Sequence, residues 1–387
     1  MLAIAAPILV FGIVVFVHEL GHFLAAKAAG VYAPRFSIGF GKALWKKRWG
    51  ETEYVVAMLP LGGYVRMASK DDEATAFIEG GSENAAKGLN EDGSPMDPDA
   101  MIPFGPKPIP ADRWFESKPL AARLGILLAG VTMNVVLALV VMTGMFAHYG
   151  NPYLSTRADS LIADRPGAIA GMLRGDSIVS IDGVPVDWEG LVTKVSASPG
   201  VQLRFGVIRD GRPRDIRVTP AADTVTNPST RNVETVGRIG IVPAPASRPV
   251  GAVEAVTSGW TATWRMAGMV VDALHGLATR RIAASELGGP IMIAQASVQA
   301  ARGGAEQLFF LVALISVNLA VFNLLPIPIL DGGQIVIAVL EGVKGKAFSL
   351  RTREYILRTG LAAVLLLFVL VTYNDLRRLL QSVIDKL

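Results

Sequence analysis

Four apolar runs, at 2–29, 120–147, 308–330 and 355–373, set what this chain can fold into. At ~1.5 Å per helical residue, each is long enough to cross the ~30 Å hydrocarbon core of a bilayer. The expected fold class is therefore a polytopic α-helical membrane protein with about four transmembrane helices. A hydrophobic content of 51% and a mean hydropathy of +0.43 exclude an ordinary soluble globule. The chain has no cysteine, so no disulfide holds it and no thiolate can ligate a metal. The first run does not read as a cleaved signal peptide: it has no basic leading region, is too long, and carries ionisable residues.

The net charge is +4, and the basic residues cluster beside the apolar runs. Arg35, Lys42, Lys46, Lys47, Arg48, Arg66, Lys107, Arg113 and Lys118 separate the first two runs, and Lys344, Lys346, Arg351 and Arg353 the last two. This reads as a topology signal rather than a nucleic-acid footprint. The positive-inside rule puts both connections in the cytoplasm and the 150–305 segment outside it, although Arg377 and Arg378 oppose this. The first and third runs then cross in the same direction.

Inside the first run sits His18-Glu19-Leu20-Gly21-His22. Residues four apart share a helix face, so His18 and His22 can point two imidazoles at one metal ion. Glu19 lies beside them, placed to take a proton from a water at such a metal. Three ionisable groups in a bilayer-length apolar helix make function the default reading.

A catalytic zinc site usually has three protein ligands, and Asp331 is the best candidate for the third. It ends the third run in Asn323-Leu-Leu-Pro-Ile-Pro-Ile-Leu-Asp331-Gly332-Gly333, at a depth similar to the histidines. Pro326 and Pro328 cannot continue a regular helix, and Gly332-Gly333 are expected to loosen the chain after it. Broken helices at membrane depth line a wet cavity or lie buried in protein. Asn323 can offer its amide to a substrate carbonyl or a developing oxyanion. The alternative makes Asp331 a helix cap at the membrane edge. Asn318 suits helix packing better than chemistry.

With H-E-x-x-H at 18–22 and N-x-x-P-x-x-x-L-D-G at 323–332, the chain resembles the site-2 proteases (M50-type intramembrane zinc metalloproteases), specifically the bacterial regulator-of-sigma-E protease group. The resemblance covers essentially the whole chain. It implies zinc held by His18, His22 and Asp331, Glu19 as acid/base, and Asn323 orienting substrate. Gly130 and Asn134, four apart, match the family's small-residue pattern in the second span, where close helix packing explains them equally well.

Two further regions have their own character. Arg35–Phe40 and Glu51–Met67, with strand formers Tyr54, Val55 and Val56 and a turn signal at Leu61-Gly62-Gly63-Tyr64, read as a β-sheet against the cytoplasmic face. Such an edge could hold an unwound substrate by strand addition. Residues 70–112 are expected to be mobile. Ala170-Gly171-Met172-Leu173-Arg174-Gly175-Asp176 and Ile178–Gly183 resemble the signature of a PDZ domain, with Gly175 and Gly183 in turns and Ile178 and Ile181 facing the core. One copy is visible where the best-known members of the group carry two. In the 250–280 segment, Val253, Val256, Trp260, Trp264, Ala267, Val271 and Leu274 recur at helical spacing, as in an amphipathic helix at a membrane interface. His148 and His275 read as interfacial polar residues.

The expected organisation is a first membrane helix at 1–29, a cytoplasmic-side β-hairpin region and loop at 30–119, a second helix at 120–148, and a PDZ domain at 153–245. An amphipathic region at 250–303, a third helix at 305–333, a cytoplasmic loop at 334–354, a fourth helix at 355–375 and a tail at 376–387 follow. The expected function is an intramembrane zinc endopeptidase. By the resemblance, it acts on single-span membrane proteins such as anti-sigma factors or remnant signal peptides, in a bacterial inner membrane with the PDZ domain on the periplasmic side. The lipid bilayer is a partner and nucleic acid is not. A catalytically silent PDZ scaffold is the alternative. A metal transporter would call for more intramembrane ionisable groups and an internal repeat.

Overall fold

Each apolar run begins a helix in the computed structural model, which describes residues 2–69, 100–226 and 233–384. The helices are α1 (Leu2–Ala28), α2 (Leu120–Tyr149), α7 (Ala305–Asn323) and α9 (Leu350–Ile384). All four contain stretches long and apolar enough to cross a membrane. The region expected to be mobile lies largely outside the described residues, at 70–99. The chain divides into two units, Met1–Phe146 with Ala252–Leu387, and Ala147–Gly251.

In the first unit, small residues let the helices meet closely, as packing without a hydrophobic drive requires. A Cβ on Gly21 of α1 would lie 2.4 Å from the Ala129 carbonyl oxygen of α2. Val10 and Val14 of α1 pack on Val312 of α7. Helix α5 (Ala252–Ala278) joins them through Ala262 and Met266, which pack with Ala138 and Met142 of α2 and Ala313 and Val317 of α7. Its opposite face leaves Val253, Val256, Trp260, Trp264 and Val271 exposed. Five of the seven residues picked out by periodicity thus face outward, whereas Ala267 packs against this cluster and Leu274 is half-buried. Residues between them, Ala262 and Met266 among them, make the helix contacts. Helix α6 (Pro290–Gly303) takes its N-terminal cap from a distance, because Asp375 of α9 accepts from the backbone N–H groups of Gly289, Ile291 and Met292.

The third run differs from a single helix over 305–333. Helix α7 stops at Asn323, a turn carries Pro326 and Pro328, and α8 (Asp331–Lys344) starts at the aspartate. The segment expected as a loop at 334–354 is therefore largely helical, its burial recurring at Ile337, Ala338 and Glu341. Gly332 and Gly333 do not loosen the chain. They lie buried in the first turn of α8, where a Cβ would come within 2.3 Å of the Leu324 carbonyl oxygen or 2.1 Å of that of Ile327. Their use is close approach of two backbones. Arg353, counted above as a topology charge, is buried and ion-paired with Glu341 at 2.7 Å and Glu116 at 3.7 Å.

Strands β1 (Arg35–Trp49) and β2 (Thr52–Arg66) fold back on each other. Arg35–Ile38 pair with Glu53–Val56 on one side and with Gly63–Arg66 on the other, while the distal part of β1 pairs with Thr52–Ala57. Phe23 of α1 packs with Phe36 and Val65 of this sheet.

The second unit holds β3 (Asn151–Leu161), α3 (Pro166–Ile169), β4 (Ser177–Ile181), β5 (Val184–Pro185), α4 (Trp188–Ser196), β6 (Leu203–Arg209), β7 (Arg212–Val218), β8 (Ala221–Thr226), β9 (Val233–Arg238) and β10 (Ile241–Arg248). The main sheet runs β10-β3-β4-β6-β7, with β5 beside β4 and a separate β8-β9 pair. Its core gathers Ile178, Ile181, Leu191, Leu203, Phe205 and Val207. Gly175 and Gly183 have φ of 91° and 82°, the left-handed region a turn residue with a side chain would resist. Helix α4 and the Ile239–Ile241 segment border a cavity of about 560 Å³.

Candidate metal centre

One face of α1 and the first residue of α8 bring His18, His22 and Asp331 together, and no other group of this kind exists among the described residues. Their ligand atoms form a nearly equilateral triangle. His18 Nε2 and His22 Nε2 are 3.2 Å apart, and Asp331 Oδ2 lies 3.3 and 3.4 Å from them. Tetrahedral zinc with ligand bonds of about 2.0–2.1 Å separates its ligands by about 3.3–3.4 Å. Both histidines are buried, and Asp331 Oδ2 is buried without a hydrogen-bond partner. Orphaned buried carboxylate oxygens are costly, so this atom is suited to a cation. Two imidazoles and a carboxylate also match the donor types of catalytic zinc.

The surroundings orient these groups. His22 Nδ1–H donates to the Ile126 carbonyl at 2.8 Å, which leaves Nε2 with its lone pair toward the triangle. Gly130 makes room, since a Cβ there would sit 2.4 Å from His22 Nε2 and 2.8 Å from His18 Cε1. The amide nitrogen of Asn323, the last residue of α7, lies 3.0 Å from His18 Nε2, and that of Asn134 lies 3.2 Å from His18 Nδ1. Glu19 is within electrostatic range of all three triangle members, and the Val65 backbone N–H donates to it. Gly63 on the same strand segment would place a Cβ 3.3 Å from Glu19 Cγ. All five residues singled out from sequence thus meet at one place. The Ile126 carbonyl and the Val65 N–H were not legible, because backbone groups carry no side-chain signature. His148 and His275 stand apart; His275 pairs with Arg281.

Residues 6–367 match peptidase family M50. The chain belongs to that family. It is 30% identical to the regulator of sigma-W protease RasP of Bacillus subtilis over 423 residues, covering 97% of this chain and 98% of that one. It is 31% identical to the zinc metalloprotease RasP of Bacillus licheniformis, covering 97% and 99%. A zinc metalloprotease RasP of Geobacillus kaustophilus is 30% identical with 97% and 98% covered. As an M50 peptidase the chain is a metalloendopeptidase.

Proposed function

We propose that this M50 peptidase is an intramembrane zinc endopeptidase that cuts within the transmembrane segments of single-span proteins. The observation that carries the reading is the ligand triangle, with sides of 3.2–3.4 Å, whose two histidines lie on α1, a helix apolar enough to span a bilayer. His18, His22 and Asp331 would hold the metal. Zinc, when bound, supplies a Lewis acid that polarises a carbonyl and acidifies water. Glu19, oriented by the Val65 N–H, accepts the proton of the attacking water and returns it to the leaving amine. The Asn323 amide donates to the substrate carbonyl as charge develops on it. A helical substrate shields its peptide bonds, and the Gly63–Arg66 edge beside Glu19 offers hydrogen bonds to an unwound segment.

The name of one relative, a regulator of sigma-W protease, supports membrane-bound anti-sigma factors as the substrate class. Remnant signal peptides, as single apolar spans, are a second source in this reading. The membrane would be a bacterial inner membrane. The 153–245 region would be a PDZ domain on its periplasmic side, its cavity beside α4 taking an extended peptide. A silent scaffold is disfavoured, because Glu19 and all three candidate ligands are present and converge.

The test compares wild type with Glu19→Gln on a single-span reporter in liposomes, with bound zinc quantified in both. Equal zinc and a rate lower by about 10²–10⁴-fold in the variant is the expected result. Cleavage by the variant at the wild-type rate overturns the role of Glu19, and absence of zinc from wild type overturns the metal reading.

A further inference from the structure

His18 has a hydrogen-bonding conflict that points to a role for Asn134. A neutral imidazole has one N–H and one lone pair. As a ligand, Nε2 needs the lone pair for the metal it would share with His22 Nε2 and Asp331 Oδ2, 3.2 and 3.3 Å away. The Asn323 amide nitrogen at 3.0 Å is a donor that also calls for a lone pair there. The proton therefore belongs on Nδ1, which then requires an acceptor. Its partner among the described residues is the Asn134 amide, and the atom facing it at 3.2 Å is the nitrogen, a donor. The oxygen of that same amide is buried with no partner. A half-turn of the amide exchanges the two atoms and gives Nδ1–H its acceptor. Asn134 is fully buried, and its backbone carbonyl accepts from Ser316 Oγ of α7 at 2.8 Å, so its backbone is anchored between two helices.

We propose that Asn134 is a positioning residue for the metal centre. Its side-chain oxygen accepts the Nδ1 proton of His18 and so fixes the tautomer that frees Nε2 for the metal. The inference rests on His18 being a ligand, as proposed above. Outer partners of metal-bound histidines characteristically set both tautomer and ring orientation. Gly130 one turn earlier keeps the space open, and Asn134 supplies the polar contact, which separates the two members of the pair that packing alone would explain together.

The experiment uses the purified full chain and measures zinc affinity by chelator competition for wild type, Asn134→Leu and Asn134→Asp. Leucine keeps the branching and the number of side-chain heavy atoms and removes the acceptor, whereas aspartate keeps an oxygen acceptor. Positioning predicts a zinc Kd about 10–100-fold weaker for leucine and recovery toward wild type for aspartate. Leucine at the wild-type Kd, or aspartate no better than leucine, overturns the proposal and returns Asn134 to packing. A second readout needs no variant. The chain has four histidines, so nitrogen-15 histidine spectra of the zinc-loaded protein can resolve His18. A proton on Nδ1 supports the assignment, and a proton on Nε2 refutes it. Failure of wild type to bind zinc at all overturns the underlying metal reading instead, together with the role for Asn134 that depends on it.

Discussion

Gly130→Ala is expected to disable the metal centre with a single methyl group. The added Cβ would sit 2.4 Å from His22 Nε2 and 2.8 Å from both His22 Cδ2 and His18 Cε1. Ordinary contact begins at 3.4 Å, so the His22 ring or helix α2 must give way by about 1 Å. Metal sites tolerate about 0.2 Å in ligand distance. The ring cannot turn aside freely, because Nδ1 is held by the Ile126 carbonyl on the same helix that carries the new methyl. Zinc affinity should therefore fall by more than the ~10–100-fold that outer-shell changes cost. Overpacking costs the fold itself only about 1–3 kcal/mol, so the variant should remain assembled. Gly125→Ala on the same helix is the control, since its Cβ would meet nothing within 4 Å. The assay is zinc per chain after gel filtration, with Kd by chelator competition. Zinc bound by Gly130→Ala as tightly as by Gly125→Ala would refute the reasoning.

Two further outcomes follow from close contacts elsewhere. Gly332→Ala drives a Cβ to within 2.3 Å of the Leu324 carbonyl oxygen, so the turn must open and withdraw Asp331; zinc affinity should drop at least about tenfold, or ~1.4 kcal/mol, in the same competition assay. In the second unit, Asp176 accepts hydrogen bonds from Arg209, which holds its carboxyl below the usual carboxylate range. A depressed folded pKa gives stability that is present above the unfolded value of about 3.9 and is lost as pH falls through the folded value. Protection of the Ser177–Ile181 amides, taken relative to their intrinsic exchange at each pH, should therefore fall on acidification below about pH 4, and Asp176→Asn should show low protection already at neutral pH. An acid profile unchanged by that substitution would rule the pair out as the cause.

The sequence made the site's membership legible because ionisable groups are expensive inside apolar helices. His18 and His22 announce themselves by spacing on one face, and Asp331 by ending an apolar run. Their convergence was implied by equal depth rather than seen, and it depends on the turn at 324–330, whose Leu324 and Ile327 carbonyls lie against Gly332 and Gly333 at the start of α8. Glycine was the residue hardest to read. Gly332 and Gly333 look like loosening elements, yet they serve close backbone approach, and a glycine signals either use with the same letter. Arg353 looked like a topology charge, and only the fold brings Glu341 and Glu116 to it. The Trp260–Trp264 stripe was correctly seen as one face of a helix. Its periodicity could not say that the other face, with Ala262 and Met266, carries the packing.

The central claim is that His18, His22 and Asp331 jointly hold zinc, and X-ray absorption at the zinc edge on the purified chain tests it most directly. The account predicts one zinc per chain with two imidazole nitrogens at about 2.0–2.1 Å and a carboxylate oxygen at about 2.0–2.2 Å. With no cysteine in the chain, the shell contains no protein thiolate sulfur. His22→Ala should remove one imidazole from the signal or the zinc altogether. Zinc bound with an unchanged shell in His18→Ala, His22→Ala and Asp331→Ala would contradict the account.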